Sequence, residues 1–235
     1  MIRKEIISKS PLRILEKSIH GGVGKGCIGV IAARKGVGKT ACLVHIATDR
    51  LFLGKHVIHV SFGEDASHIV RWYEDIFNEI ARRNNLKCAM DVHDDIIRNR
   101  VIVNFKQDDT HIAKIKKTFS MFLEKGNFCV DTIVVDGYNF AKATPEDFQE
   151  FKRFAIETGL EMWFSASLKE RDAPSDAHGI PKLLLPFIND IAILINLEPK
   201  GDFVHLTLIK DHDTIPNSDM HVKLDPHILL LAEET

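Results

Sequence analysis

GVIAARKGVGKTA, residues 29–41, begins as an apolar run and ends in a glycine-rich polar segment. The run 29–32 is typical of a buried strand, and from Leu43 to Leu51 apolar residues recur at helical spacing. Between them, residues 33–40 follow the pattern G-x-x-x-x-G-K-[ST], with Ala33 in its first position. This order of strand, loop and helix predicts a phosphate-binding loop, called the phosphate loop below.

The chemistry of the phosphate loop predicts ATP and Mg²⁺ as cofactors. Backbone N–H groups at a helix N-terminus bind phosphate, Lys39 reaches the terminal phosphates, and the Thr40 hydroxyl is a magnesium ligand. The predicted nucleotide-binding residues of this stretch are Ala33, Arg34, Lys35, Gly36, Val37, Gly38, Lys39, Thr40 and Ala41.

Strand and helix patterns alternate along most of the chain and then give way to hairpins. Strands are predicted at 56–62, 100–105, 131–137, 161–165, 190–197, 203–210 and 221–224. A helix is predicted to follow Lys39 and to end just before Gly54, and others around 69–80, 112–122 and 144–159. Residues 82–99 and 166–183 are predicted to be irregular. The pattern favours an α/β fold with a mainly parallel sheet, flanked by helices and extended by C-terminal antiparallel strands.

Length and composition favour one domain over residues 1–235, with an N-terminal arm at about 1–20. A net charge of −2 does not point to a dedicated nucleic-acid binder. The four cysteines are widely spaced, which indicates buried free thiols rather than disulfides or a zinc site. Without a signal core or membrane span in the sequence, we expect a cytoplasmic protein.

Two acidic residues follow predicted strands. Asp136 ends the apolar run 132–135 and is a candidate to hold magnesium through bound water, although many strand-ending Asp residues only cap the next turn. Glu64 follows strand 56–62 and is a candidate to polarise the attacking water. The alternative for Glu64 is a favourable interaction with the dipole of the next helix.

Several segments resemble the RecA-like P-loop ATPases, closest to the motor domain of DnaB-type helicases and to KaiC-type ATPases. The resemblance is carried by GGVGKGCIGVIAARKGVGKTACLVHIA (21–47), VSFGEDASHIV (60–70), TIVVDGYNF (132–140), LTLIKDHD (206–213) and HVKLDP (221–226). It implies a RecA-like core in which Glu64 is the catalytic carboxylate and Asp136 the magnesium anchor. Lys210 would then act in trans, at the neighbouring subunit's nucleotide in a homo-oligomeric ring, with a hexamer as one option.

Two departures from the family pattern predict weak or differently regulated hydrolysis. Ser167 stands where the helicases tend to carry a Gln that senses the γ-phosphate, and a Ser hydroxyl reaches less far. His212 stands where the arginine finger would lie, and a neutral His cannot make the bidentate phosphate contact of an Arg.

Other candidates carry a weaker signal. Arg71 and Trp72 fall where RecA-like proteins often contact adenine, but a Trp on an amphipathic helix is more often part of the core. The acidic run 91–95 is predicted to be a solvated loop. Loop 168–183 carries three basic residues against three acidic ones, so nucleic-acid binding through it is not supported.

The sequence leaves three hypotheses for function. The leading one is an oligomeric ATPase that hydrolyses ATP slowly. The second is a nucleotide-binding assembly or signalling module that has largely lost hydrolysis. The third is a DNA-dependent helicase-like or recombinase-like ATPase.

Overall fold

The computed structural model describes residues 12–19, 21–63, 65–83, 89–106, 112–124, 129–173, 178–226 and 230–233. The strands are β1 (Ile28–Arg34), β2 (His56–Phe62), β3 (Arg100–Phe105), β4 (Val130–Asp136), β5 (Glu161–Leu168), β6 (Ile193–Lys200), β7 (Phe203–Asp211), β8 (Ser218–Asp225) and β9 (Leu230–Glu233). The helices are α1 (Leu12–Ser18), α2 (Lys39–Phe52), α3 (Ala66–Arg83), α4 (Ala89–Arg98), α5 (Ile112–Glu124) and α6 (Pro145–Thr158).

All the described strands form one sheet in the order β3-β2-β4-β5-β1-β6-β7-β8-β9. The pairs from β3 to β6 are parallel, and those from β6 to β9 are antiparallel. The predicted α/β class is therefore confirmed, with a mostly parallel sheet, flanking helices and antiparallel C-terminal strands. The parallel strands place their carboxyl ends, and the loops that follow them, at one edge of the sheet.

Each face of the sheet is covered by its own apolar core. One core contains α2 and α3 with the odd-numbered positions of β1 and β6, and the other contains α6 and the even-numbered positions. On one face of the sheet the Trp163 ring lies against Gly29, its register partner on β1. A Cβ atom on Gly29 would lie 2.5 Å from the Trp163 ring, so only glycine fits there.

Local helix signals in the sequence are confirmed at both ends of α6. The Thr144 hydroxyl accepts a hydrogen bond from the Asp147 N–H, Pro145 occupies the first turn, and Gly159 closes the helix at φ +66°. Gly54 likewise follows the end of α2 with a φ of +79°.

Several segments differ from the sequence prediction. Residues 89–98, expected to be irregular, form α4, which buries Ile96 and contacts α2 and β3. The acidic run 91–95 therefore lies in a helix. Strand β5 extends three residues past its predicted end because it stays paired with β1 as far as Arg34↔Leu168. β9 was missed entirely.

Two further expectations were wrong. Strand β6 continues to Lys200 through the predicted turn, because Lys200 pairs with Phe203 and leaves only Gly201 and Asp202 to reverse the chain. Cys129 is exposed, whereas Cys42 is buried as expected and Cys88 lies outside the described residues. Among the described helices, none has the length and apolar character needed to cross a bilayer.

Part of the predicted N-terminal arm packs against the core. Leu15 and Ile19 are buried, and α1 contacts α2, β8 and β9. A buried ion-pair cluster lies beneath it: the Arg50 guanidinium donates to Glu16 at 3.0 Å and to Glu161 at 2.9 Å. The Trp163 ring N–H also donates to Glu161, at 2.7 Å.

We expect Arg50→Met to lower the free energy of unfolding by about 3 kcal/mol, because removing one partner leaves the buried Glu161 carboxylate without its counter-ion. Urea unfolding followed by circular dichroism measures the change. The matched control is Arg82→Met, since Arg82 is exposed and pairs with Glu79 on the same helix, α3, and its unfolding midpoint should equal that of the wild type. Equal midpoints for all three proteins would contradict a structural role for Arg50.

Candidate nucleotide site

The phosphate loop connects the carboxyl end of β1 to the N-terminus of α2. Gly36 and Gly38 have φ values of +82° and +115°, a region that favours glycine. Gly38 is also confined, because an added Cβ would lie 2.6 Å from Cδ2 of Leu224 on β8. The N-cap residue of α2 is Gly38, which has no side chain to cap the helix. The loop therefore presents backbone N–H groups at a helix N-terminus, the arrangement that binds phosphate.

Lys39 is buried within the loop, with 8% of its surface exposed. Its ammonium donates hydrogen bonds to the carbonyl oxygens of Ala33, at 3.2 Å, and Arg34, at 2.9 Å. Burial lowers the pKa of Lys39, and the nearby Asp136 carboxylate opposes that shift. No carboxylate of the described residues forms an ion pair with Lys39. A buried ammonium held only by carbonyls has a donor left for an anionic ligand.

Thr40 and Asp136 meet beside the loop, although 96 residues separate them. The Thr40 hydroxyl donates to Oδ2 of Asp136 at 2.7 Å. The other carboxylate oxygen, Oδ1, accepts a hydrogen bond from the Ser165 hydroxyl at 2.6 Å, and Ser165 in turn accepts one from the Gly137 N–H at 2.8 Å. Both oxygens of Asp136, at the carboxyl end of β4, are thus oriented by hydroxyl groups, one from α2 and one from β5.

With this geometry in place, the chain was compared with known proteins. No protein-family model and no curated protein sequence matches it. We therefore infer the function from the residues of the site.

The donor atoms at the loop suit magnesium. Mg²⁺ prefers oxygen ligands and is usually held by one or two protein groups together with substrate phosphates. The Thr40 hydroxyl and the Asp136 carboxylate are oxygen donors of this kind. Within the described residues no three His, Cys, Asp or Glu side chains cluster to form a larger metal site.

The remaining predicted nucleotide-binding residues of the phosphate loop differ in how exposed they are. Ala33 and Ala41 are buried, Arg34, Lys35 and Gly36 are exposed, and Val37 is half-buried. Glu64 lies outside the described residues. Strand β2, which ends at Phe62, pairs with β4 so that Ser61 is the register partner of Asp136. The strand that leads to Glu64 therefore ends beside the Asp136 carboxylate.

Ser167 is exposed and lies opposite Ala33 in the pairing of β5 with β1. It is therefore next to the first residue of the phosphate loop. Ser165, two residues earlier, was not among the predicted site residues. A serine in a β-strand gives no signal by itself, and only the pairing of β4 with β5 shows that it faces Asp136.

The two residues predicted to act on a neighbouring subunit are held within their own chain. The Lys210 ammonium donates to the carbonyl oxygens of Ile188, at 2.6 Å, and Ile191, at 2.7 Å. The His212 ring contacts the Asp211 carboxylate through Nδ1 at 2.7 Å, and Nε2 lies 3.3 Å from the Val23 carbonyl oxygen. A contact in trans would require these bonds to break, so the trans roles stay predictions.

Arg71 and Trp72 lie on α3. The Arg71 side chain is exposed, and Trp72 is half-buried and packs against the core shared with α2. The structure thus favours the packing role for Trp72, and adenine contact at these residues stays a prediction.

We expect Ser165→Ala to lower the free energy of unfolding by about 2 kcal/mol, because the buried Asp136 carboxylate loses a hydroxyl donor and the Gly137 N–H loses its acceptor. Ser167→Ala is the matched control: the same change on the same strand at an exposed position, expected to shift stability by less than about 0.5 kcal/mol. Urea titration of both variants measures the difference, and equal effects would show that the Asp136 contact contributes nothing.

Proposed function

We propose that the protein binds ATP with Mg²⁺ in the phosphate loop and hydrolyses it slowly, as a RecA-like ATPase that works in a ring-type oligomer. The observation that carries the proposal is the contact between Thr40 and Asp136 beside a loop that buries the Lys39 ammonium. It brings together a phosphate-binding backbone, a buried cation and an oxygen pair suited to magnesium. Phosphoryl transfer needs these groups more than covalent help from the protein.

In this proposal, the residues of the nucleotide site have different roles. The loop N–H groups from Gly36 to Thr40 and the Lys39 ammonium bind the phosphates, and Thr40 and Asp136 hold the metal. Magnesium supplies positive charge that neutralises the phosphate oxygens. Ser165 is a positioning residue, because it fixes the Asp136 carboxylate without facing the nucleotide itself. Glu64 orients the attacking water from the end of β2.

The test measures phosphate release from ATP by the full chain, with Mg²⁺ and with excess EDTA, alongside molar mass by light scattering with and without ATP. We expect release that requires Mg²⁺ and a larger mass when ATP is present. A monomer that neither binds nor hydrolyses ATP would overturn the proposal. A further sample with single-stranded DNA tests the helicase-like alternative through stimulation of release.

A second candidate function is a nucleotide-binding assembly module with little turnover. The intrachain hydrogen bonds of Lys210 and His212 favour it. While these bonds hold, neither side chain can reach the nucleotide of a neighbouring subunit. Under this alternative, ATP raises the mass in light scattering and phosphate release stays at background. The same experiment therefore separates the two candidates.

A further inference from the structure

A cleft of about 340 Å³ adjoins the phosphate loop at the carboxyl edge of the sheet. This volume lies within the range of roughly 300 to 1,000 Å³ that is usual for small-molecule sites. Its walls come from the loop and from the ends of β5 and β6. The residues that line it include Arg34, Val37, Leu168, Asn196, Leu197 and Glu198.

The cleft extends from the end of β5 past the loop to β6, away from the proposed metal position at the end of β4. In the sheet, β1 has β5 and then β4 on one side, and β6 on the other. Asp136 ends β4, whereas Asn196 is paired with Ala32 of β1 and continues along β6 toward Glu198. Magnesium binds the terminal phosphates of a nucleotide, so the nucleoside belongs at the end of the loop away from Asp136.

The lining of the cleft has the chemistry of a nucleoside site. Val37 and Leu168 are half-buried and provide apolar surface, which suits the faces of a base, whereas Leu197 is nearly fully buried and adds little to it. At the rim, the Asn196 amide donates to Oε1 of Glu198 at 3.0 Å. This bond orients the carboxylate and does not involve its second oxygen, Oε2. In other nucleotide sites, carboxylates accept hydrogen bonds from ribose hydroxyls.

The other candidate position for the base is less suitable. Trp72 packs against the core, and Arg71 is an exposed side chain on α3. Neither residue lines the cleft beside the loop.

We propose that the nucleoside of the bound nucleotide occupies the cleft between the phosphate loop and the ends of β5 and β6, with Glu198 accepting hydrogen bonds from the ribose hydroxyls. This inference rests on the proposed function, since it assigns the sugar and base of the same ligand. It makes Glu198 a specificity residue that distinguishes a ribonucleotide from one without ribose hydroxyls.

The experiment measures binding by calorimetry with two probes in Mg²⁺, ATP and inorganic tripolyphosphate, which has no nucleoside. The variant Glu198→Trp fills the mouth of the cleft. We expect it to bind ATP at least about ten-fold more weakly, because the base and ribose lose their site, and to bind tripolyphosphate as the wild type does. Lys200→Trp is the matched control, an equal change two residues along β6 and outside the cleft, and should bind both probes normally.

A milder variant tests the ribose contact itself. Wild type should prefer ATP to 2′,3′-dideoxy-ATP, and Glu198→Gln should reduce that preference about three- to ten-fold, because the charge-assisted hydrogen bonds become weaker.

Wild-type affinity for ATP in Glu198→Trp would overturn the inference. Selective loss of ATP binding in Arg71→Ala would do so as well, by placing the base on α3. If the wild type binds neither probe, the proposed function fails with it. Binding of tripolyphosphate with no added affinity for ATP refutes the nucleoside site alone.

Discussion

Lys39→Ala is expected to reduce ATP affinity by at least about 30-fold and phosphate release to background. The ammonium is buried in the loop, and its hydrogen-bond partners among the described residues are the carbonyl oxygens of Ala33 and Arg34. In the proposed complex it forms a desolvated pair with phosphate, and truncating one member of such a pair costs about 2 to 5 kcal/mol, which is about 30-fold or more. Calorimetry and a phosphate-release assay give the two values.

Folding of this variant can be judged separately from binding. The buried ammonium of Lys39 is hydrogen-bonded to carbonyl oxygens and, among the described residues, to no carboxylate. The truncation therefore leaves no carboxylate of these residues without its counter-ion. Lys35→Ala is the matched control, because Lys35 belongs to the same loop but is exposed. It should keep affinity within about three-fold of the wild type, as expected for an exposed charge. Comparable losses in both variants would mean that the loop acts through general positive charge and not through the buried ammonium.

Glu64→Gln is expected to lower the turnover number by about 10² to 10⁴ while ATP still binds. This range is typical of a side chain that orients or deprotonates the attacking water. The prediction draws on the pairing of β2 with β4, which brings the strand before Glu64 to the side of Asp136. Glutamine keeps the size of the side chain and removes its charge, so binding and chemistry can be separated by measuring both.

The neighbouring Asp65 supplies a control for Glu64. Asp65 is exposed and accepts a hydrogen bond from the Ser67 N–H at the start of α3. Asp65→Asn should keep the turnover number close to the wild-type value. If the wild type already turns over at the rate of Glu64→Gln, and ATP still drives assembly, the second candidate function is the correct one. If Asp65→Asn alone loses activity, the water-orienting role belongs to Asp65.

The sequence was sufficient for features that depend on neighbours in the chain. The strand before the phosphate loop, the glycines that end α2 and α6, and the start of α6 follow from short-range geometry, which residues at fixed spacing determine. Alternation of strand and helix patterns was enough for the fold class. In contrast, α4 was missed because its acidic residues were interpreted as a solvated loop, whereas in the structure Ile96 is buried in the core.

Contacts between polar groups that are distant in the chain depend on the tertiary structure. Thr40 reaches Asp136 across 96 residues, Ser165 reaches it because β5 lies next to β4, and Lys210 bonds to two carbonyls of its own chain. The cleft beside the loop likewise exists because β6 runs beyond the end of β1. Hydrogen bonds act over about 3 Å, and the order of strands in a sheet is not encoded in any short segment. The sequence therefore determined the phosphate loop, and the packing of the whole sheet determined which residues surround it.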